Sequence, residues 1–130
     1  MSHYHIRPYV NFQGRAREAM ELYRNVFGGT LELLASDENG KAKPAGPGDR
    51  ITHARLEADG ASIVGTDGHP DYPAKVGENV AIAVSGTNRD QMARFFDGLS
   101  EGGMVKMKLV EQGFLADKFG INWVFTIEKE

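Results

Sequence analysis

Overlaid on itself with an offset of 72 residues, the chain meets its own pattern a second time. Phe12-Gln13-Gly14 falls on Val84-Ser85-Gly86, Glu18 on Asp90, Met20 on Met92 and Tyr23 on Phe95. Toward the end of each half an offset of 60 places Asp59-Gly60 on Phe119-Gly120, Val64 on Val124 and Thr66 on Thr126. The smaller offset predicts about a dozen fewer residues in the second half, lost from a loop. Self-similarity at this length is the signature of one supersecondary unit used twice. It restricts the fold to arrangements in which each half reads strand, helix, then about three strands.

The local patterns agree with that order. Ala16, Ala19, Met20, Tyr23, Val26 and Phe27 form one apolar stripe at helical spacing within residues 14–27, with Arg15, Arg17, Glu18, Glu21 and Arg24 opposite. Gly28-Gly29 ends this helix, since glycine readily takes the left-handed conformation of a helix terminus. A second helix fits residues 88–99 on Met92, Phe95, Phe96 and Leu99, with Asn88 or Thr87 as N-cap and Gly102-Gly103 beyond its end.

Residues 4–12 alternate as a strand, with Tyr4, Ile6, Pro8, Val10 and Phe12 on one face and His5, Arg7, Tyr9 and Asn11 on the other. Further strands are expected at Thr30–Ala35, Arg50–Ala58, Ala61–Thr66, Asn79–Ser85, Met104–Val110 and Ile121–Glu128. Ser36–Asp49 and Gly68–Gly77, rich in Gly, Pro and charge, read as loops. The fold expected is α+β, a single domain of two βαβββ modules over residues 1–70 and 71–130. A small sheet with one helix on one face leaves its other face uncovered. Small and polar residues point that way here: His53, Arg55 and Glu57 alternate with Thr52, Ala54, Leu56 and Ala58. Asn79, Ala81, Ala83 and Ser85 alternate with Val80, Ile82 and Val84. Two such sheets curving together would wall a ligand cavity, with the helices on the outside.

Composition removes several classes of function. The net charge of −3 and isoelectric point near 5.8 lack the basic footprint that nucleic-acid binding needs. No apolar run of the roughly 18 residues that a membrane span requires is present, and the N-terminus lacks the apolar stretch of a signal peptide. The absence of cysteine excludes disulfides, zinc–thiolate sites and thiol nucleophiles, and suits a cytoplasmic protein.

The order and the residues together resemble a known family. Arg7-Pro8-Tyr9-Val10-Asn11-Phe12-Gln13-Gly14, Glu18-Ala19, Tyr23 and Val26-Phe27-Gly28-Gly29 look like the opening of the PhnB-like proteins. Those belong to the glyoxalase/bleomycin-resistance/extradiol-dioxygenase group, the vicinal oxygen chelate superfamily. His53-Ala54-Arg55-Leu56, Thr66-Asp67, Gly77-Glu78-Asn79-Val80, Leu99-Ser100-Glu101-Gly102-Gly103 and Asp117 through Trp123 extend the likeness over nearly the whole chain. The resemblance implies paired βαβββ modules, a homodimer and a cavity near the module interface.

Metalloenzymes of that superfamily hold a divalent metal on His, Gln or Glu from the opening and closing strands of each module. Carried over, those places fall near Arg7, Val64, Asn79 and Val124. Arginine stays protonated and valine has no donor atom, so the ligand set is incomplete and no cofactor is expected, with a divalent metal held in some other way as the alternative. The segment from Leu109 to Asp117 also departs from the family, where a proline usually stands at Lys108 and a longer, tryptophan-bearing loop precedes the aspartate. A methyltransferase label attached to some relatives finds no glycine-rich cofactor loop here.

Candidate ligand contacts are Arg7, Tyr9, His53, Arg55, Asn79 and Trp123, and candidate acid–base groups are His53 and Asp67. Each has a plainer reading. His53 fits a polar position on a wet sheet face, Asp67 a turn with Gly68, Asn79 a loop fastening and Trp123 a core residue. His3 and His5 lie near a terminus and His69 in a Gly-His-Pro turn. The function expected is metal-free binding of a small molecule, with no nucleic-acid or membrane partner. The alternatives are a lyase- or dioxygenase-type enzyme on a small oxygenated substrate, and a drug-sequestering resistance protein.

Overall fold

The computed structural model describes residues 5–129, and the expectations for His3 and Tyr4 lie outside them. Eleven elements follow one another among the described residues: β1 (Tyr9–Asn11), α1 (Ala16–Phe27), β2 (Thr30–Ser36), β3 (Ala42–Pro44), β4 (His53–Ala58), β5 (Ala61–Thr66), β6 (Ala81–Gly86), α2 (Arg89–Ser100), β7 (Met104–Met107), β8 (Gln112–Ala116) and β9 (Asn122–Ile127). They form two compact units that meet in sequence at Ala74 and Lys75.

The first unit is a five-stranded sheet in the order β1-β5-β4-β2-β3, the second a four-stranded sheet in the order β6-β9-β8-β7. In each, the opening strand runs parallel to the closing strand and the other pairs are antiparallel. Removing β3 leaves the same βαβββ topology twice, as the α+β expectation has it.

The sheet registers refine the repeat. Val64 pairs with Tyr9 and Val124 with Ala83, so the opening strands correspond at an offset of 74 rather than 72. Both offsets are even, so the assignment of residues to faces survives the slip. The same offset relates Gly29 to Gly103, and the two glycines do the same work. A Cβ on Gly29 would lie 2.3 Å from the Glu57 carbonyl oxygen, and one on Gly103 would lie 2.2 Å from that of Ala116. Each half therefore brings the chain past its helix against the end of a neighbouring strand, at a distance only glycine permits.

The helices bury what their stripes predict. Ala16, Ala19, Met20 and Tyr23 are buried on α1, and Met92, Phe96 and Leu99 on α2. In the first unit Phe12, Ala54, Leu56 and Ile63 complete the core, with the Phe12 and Tyr23 rings 5.9 Å apart. In the second, Leu115, Trp123, Phe125 and Ile127 do so, and Phe96 meets Phe125 edge-on at 5.3 Å. Burying a side chain such as Leu56 or Leu115 contributes about 2 kcal/mol.

The ends of the helices are held differently. The Asn88 side chain accepts from the Gln91 amide at 2.9 Å, the expected N-cap of α2. No neighbouring side chain caps α1, whose first amide, that of Ala16, donates instead to Asp67 Oδ1 at 2.8 Å.

The structure departs from several expectations. The opening strand is three residues long: the Pro8 carbonyl accepts the Val64 amide at 3.0 Å, but Pro8 has no N–H to carry the ladder further back. Ile6, expected on the helix-facing side, is 90% exposed. The segment 36–49 is not all loop: Ser36 closes β2, and Ala42–Pro44 form β3, an edge strand antiparallel to β2. The strand β8, not located from the sequence, lies between β7 and β9, and β7 stops at Met107, three residues short of the expected end. Val80, expected inside, precedes β6 and is exposed.

Candidate functional site

Directly paired residues share a face of a sheet. Across the first sheet one row reads Tyr9, Val64, Arg55 and Glu32. The next row back brings Ser62 opposite Glu57. Ala54, Leu56 and Ile63, on the other face, are buried against the helix side. The helix-free face is therefore polar and carries four of the residues singled out from the sequence: Arg7, Tyr9, His53 and Arg55.

A network ties two of them, Arg7 and Arg55, together. The Arg7 Nε donates to the Ser62 hydroxyl, which donates in turn to Glu57 Oε1 at 2.9 Å. Arg7 Nη2 lies 3.5 Å from the same Oε1, and Arg55 Nε lies 3.7 Å from it. Arg55 Nη2 is 3.9 Å from Glu32 Oε1. Two guanidinium groups thus face two carboxylates at ion-pair distances, all partly open to solvent. Pairs of this kind add little to stability, about 0–1 kcal/mol each. His53 is half-buried, and its imidazole makes no hydrogen bond to another described residue. Tyr9 is 65% exposed.

The remaining candidates lie elsewhere. Asp67 follows β5, and both its oxygens are engaged by backbone: Oδ1 accepts from Ala16 and Oδ2 from Ile51 at 2.6 Å. It joins the start of α1 to the segment before β4, a structural task that the Asp-Gly pair in the sequence did not reveal. Trp123 is 1% exposed, and its indole N–H donates to Asp117 Oδ2 at 2.9 Å. Asp117 Oδ1 accepts the amides of Phe119 and Ile121, so this buried carboxylate organises the turn into β9. Asn79 is exposed ahead of β6. The fastening of that segment falls to Asn122, whose buried amide donates to the carbonyls of Gly77 and Val80 at 3.3 and 3.2 Å.

The positions of the expected metal ligands can be tested on the registers. Val64 is flanked by Tyr9 and Arg55, and Val124 by Ala83 and Phe114. Neither row offers the imidazole and carboxylate donors that hold a divalent transition metal. No group of three or more His, Asp or Glu residues suited to a metal is found among the described residues. The donor set does not fit such an ion.

Away from the sheet face, a cleft of about 480 Å³ opens at the loops beyond β1 and β5. Asn11, Gln13, Asp49, Arg50, Asp67 and His69 are among its lining. Its polar groups are largely turned inward on the loops. Asn11 Oδ1 accepts the Gln13 amide, Asp49 Oδ2 accepts the Gly46 amide at 2.8 Å, and Arg50 donates to the Gly68 carbonyl. The Gly46 bond and the nearby Lys43 ammonium hold the Asp49 carboxyl below its ordinary value. The His69 Nδ1 accepts the Asp71 amide within its own turn.

The second sheet presents a different helix-free face. Its corresponding row is Ala83, Val124, Phe114 and Met107, and the next holds Ala81, Asn122, Ala116 and Met104. A register shift at Lys106 keeps Met104 and Met107 on one face. The Lys106 ammonium lies 5.1 Å from the Phe114 ring centre and 4.0 Å from Glu78 Oε1. No helix among the described residues is long and apolar enough to cross a membrane.

A family model described as 3-demethylubiquinone-9 3-methyltransferase matches residues 4–126. No curated protein matches the chain. Among solved structures, protein PA1353 from Pseudomonas aeruginosa is 32% identical with a TM-score of 0.84, over 98% of this chain and 100% of that one. A putative 3-demethylubiquinone-9 3-methyltransferase, PhnB protein, from Bacillus cereus is 24% identical with a TM-score of 0.75, over 96% and 100%. The fosfomycin resistance protein FosX from Listeria monocytogenes, complexed with Mn(II) and dihydroxypropylphosphonic acid, shares the fold at 11% identity and a TM-score of 0.61, over 98% and 93%.

Proposed function

The chain belongs to the family described as 3-demethylubiquinone-9 3-methyltransferase, and we propose that it binds a small molecule, without a resident metal, on the helix-free face of its first sheet. The likeness to PhnB-like, vicinal oxygen chelate proteins read from the sequence is borne out by the family match and by the Bacillus cereus and FosX structures. The methyl transfer in the family's description does not follow for this chain. A nucleoside cofactor needs a glycine-rich turn between a strand and a helix, and the turn from β1 to α1 carries the single glycine Gly14.

The observation that carries the reading is the gathering of Arg7, Tyr9, His53 and Arg55 on one face. Sheet positions facing plain solvent need no free imidazole beside an exposed phenol and two guanidinium groups. An apolar body with a few convergent polar groups is the usual form of a ligand site. Val64 supplies the apolar floor between Tyr9 and Arg55. A homodimer, carried by the family resemblance, and a cytoplasmic location, suggested by the cysteine-free sequence, remain part of this proposal.

A second reading, acid–base chemistry on a small oxygenated substrate, has one observation in its favour. The His53 imidazole makes no hydrogen bond to another described residue and stands on the same face. Asp67, the other candidate base, is occupied by two backbone amides. Native mass spectrometry of the purified chain with pooled small acids, phenols and amides tests the binding. Adducts that disappear in Tyr9→Ala and His53→Ala variants are expected, and equal retention in both variants would contradict it. Elemental analysis of protein prepared without chelator should return far less than one divalent metal per chain. A stoichiometric metal would overturn the metal-free part.

A further inference from the structure

Resting on the reading of the first sheet face as the ligand site, we infer that its ligand is an oxyanion-bearing small molecule. In this inference Glu57 is the built-in anion that the ligand displaces. Three donors converge on one oxygen, Glu57 Oε1: the Ser62 hydroxyl at 2.9 Å, Arg7 Nη2 at 3.5 Å and Arg55 Nε at 3.7 Å. This is the arrangement in which a carboxylate or phosphate oxygen is usually recognised, with one of the protein's own carboxylates seated in it.

Glu57 fills the place loosely. Charge-assisted N–H···O contacts run at about 2.7–2.9 Å, and both guanidinium contacts here are longer. Arg55 makes ion pairs but no hydrogen bond among the described residues, so its planar set of donors is unspent. Arg7 spends its Nε on Ser62 and keeps its terminal nitrogens for an anion. Glu57 itself is partly exposed, its side chain 44% accessible, and can leave for water at little cost.

With Glu57 and Glu32 opposite Arg7 and Arg55, the formal charges of the cluster cancel. The resting face therefore does not collect anions indiscriminately. A ligand gains the arginines only when its remaining contacts, on Val64, Tyr9 and His53, are strong enough to move Glu57 aside. Specificity then rests on a competing internal group, a known way to discriminate among partners.

Calorimetric titration of the full chain with benzoate, with inorganic phosphate and with neutral benzyl alcohol tests the inference, run on wild type, Glu57→Gln and Arg55→Met. Binding of benzoate or phosphate is expected to tighten about tenfold or more in E57Q, where a unit negative charge near the anion is removed. It should weaken by at least as much in R55M, and both effects should shrink with added salt. Circular dichroism confirms that each variant is folded, and Arg55→Lys offers a milder second variant if R55M is not. Benzyl alcohol binding as tightly as benzoate, unchanged by either variant, would overturn the oxyanion inference and leave the ligand face standing. Binding of all three probes unaffected by Tyr9→Ala, His53→Ala and R55M together would remove the ligand face as well.

Discussion

The two sheets have one topology and opposite surfaces. At matching places across the helix-free face, the first reads Tyr9, Val64, Arg55 and Glu32, and the second reads Ala83, Val124, Phe114 and Met107. The closing-strand valine is common to both rows. Its neighbours are an exposed phenol and an ion-paired arginine in one unit, and a methyl group and an aromatic ring in the other. The helix-facing side is alike in both, an apolar layer under one amphipathic helix. A duplicated module has thus kept the side that folds it and diverged on the side left uncovered. A face that folding does not constrain is free to be specialised.

The divergence extends to how each unit is pinned. In the second, the buried carboxylate of Asp117 collects the Trp123 indole and two amides. In the first, the half-buried Asp67 joins two segments through two amides. Asp117→Ala strands the buried Trp123 indole and two partly buried amides and should cost about 3 kcal/mol or more in urea denaturation, against about 2 kcal/mol for Asp67→Ala. A larger loss for Asp67→Ala would reverse the ranking of the two pins.

The matched position Arg55/Phe114 gives the next largest contrast. Phe114→Arg removes half-buried ring contacts and should lower stability by about 1–2 kcal/mol. Arg55→Met should change it by less than about 1 kcal/mol, since it loses only exposed ion pairs. Equal costs in thermal melts would mean that the charged row is structural after all. The helix starts differ more gently. Asn88→Ala should cost about 1 kcal/mol, whereas Arg15→Ala should leave stability nearly unchanged, because the first amide of α1 is bonded by Asp67.

The smallest effect belongs to Asp49. Its folded carboxyl lies below the ordinary value, chiefly through the Gly46 amide and then through Lys43. Its contribution is therefore fully present above the unfolded value and is lost as pH falls through the folded one. Asp49→Asn should lower stability slightly near neutrality and flatten the acid limb of the profile. Curves that superimpose at every pH would show the turn to be indifferent to this charge.

Much of this was legible in the sequence. The helices announced themselves by their stripes and glycine ends, and the duplication by its matched order. The alternation of His53, Arg55 and Glu57 with Ala54, Leu56 and Ala58 placed the polar face correctly. What escaped was structure whose signal is not local. The inward positions of β8 include Gly113, which has no side chain to complete an apolar alternation. The strand β3 is three exposed residues in a Gly- and Pro-rich stretch, recognisable only through its pairing with β2. Asp67 reads as a turn residue because its partner Ala16 is 51 positions away. Trp123 reads as core before platform, but its anchoring contact with Asp117 shows only in the fold.

On the proposed reading, ligand recognition lies on the first sheet and not the second. Backbone amide shifts of the isotopically labelled chain, titrated with benzoate, distinguish the two faces. Saturating shifts are expected at His53–Glu57, Ser62–Thr66 and Tyr9, with β6 to β9 unmoved. Shifts confined to Ala81–Ser85, Phe114 and Val124 would contradict it and assign the site to the apolar face.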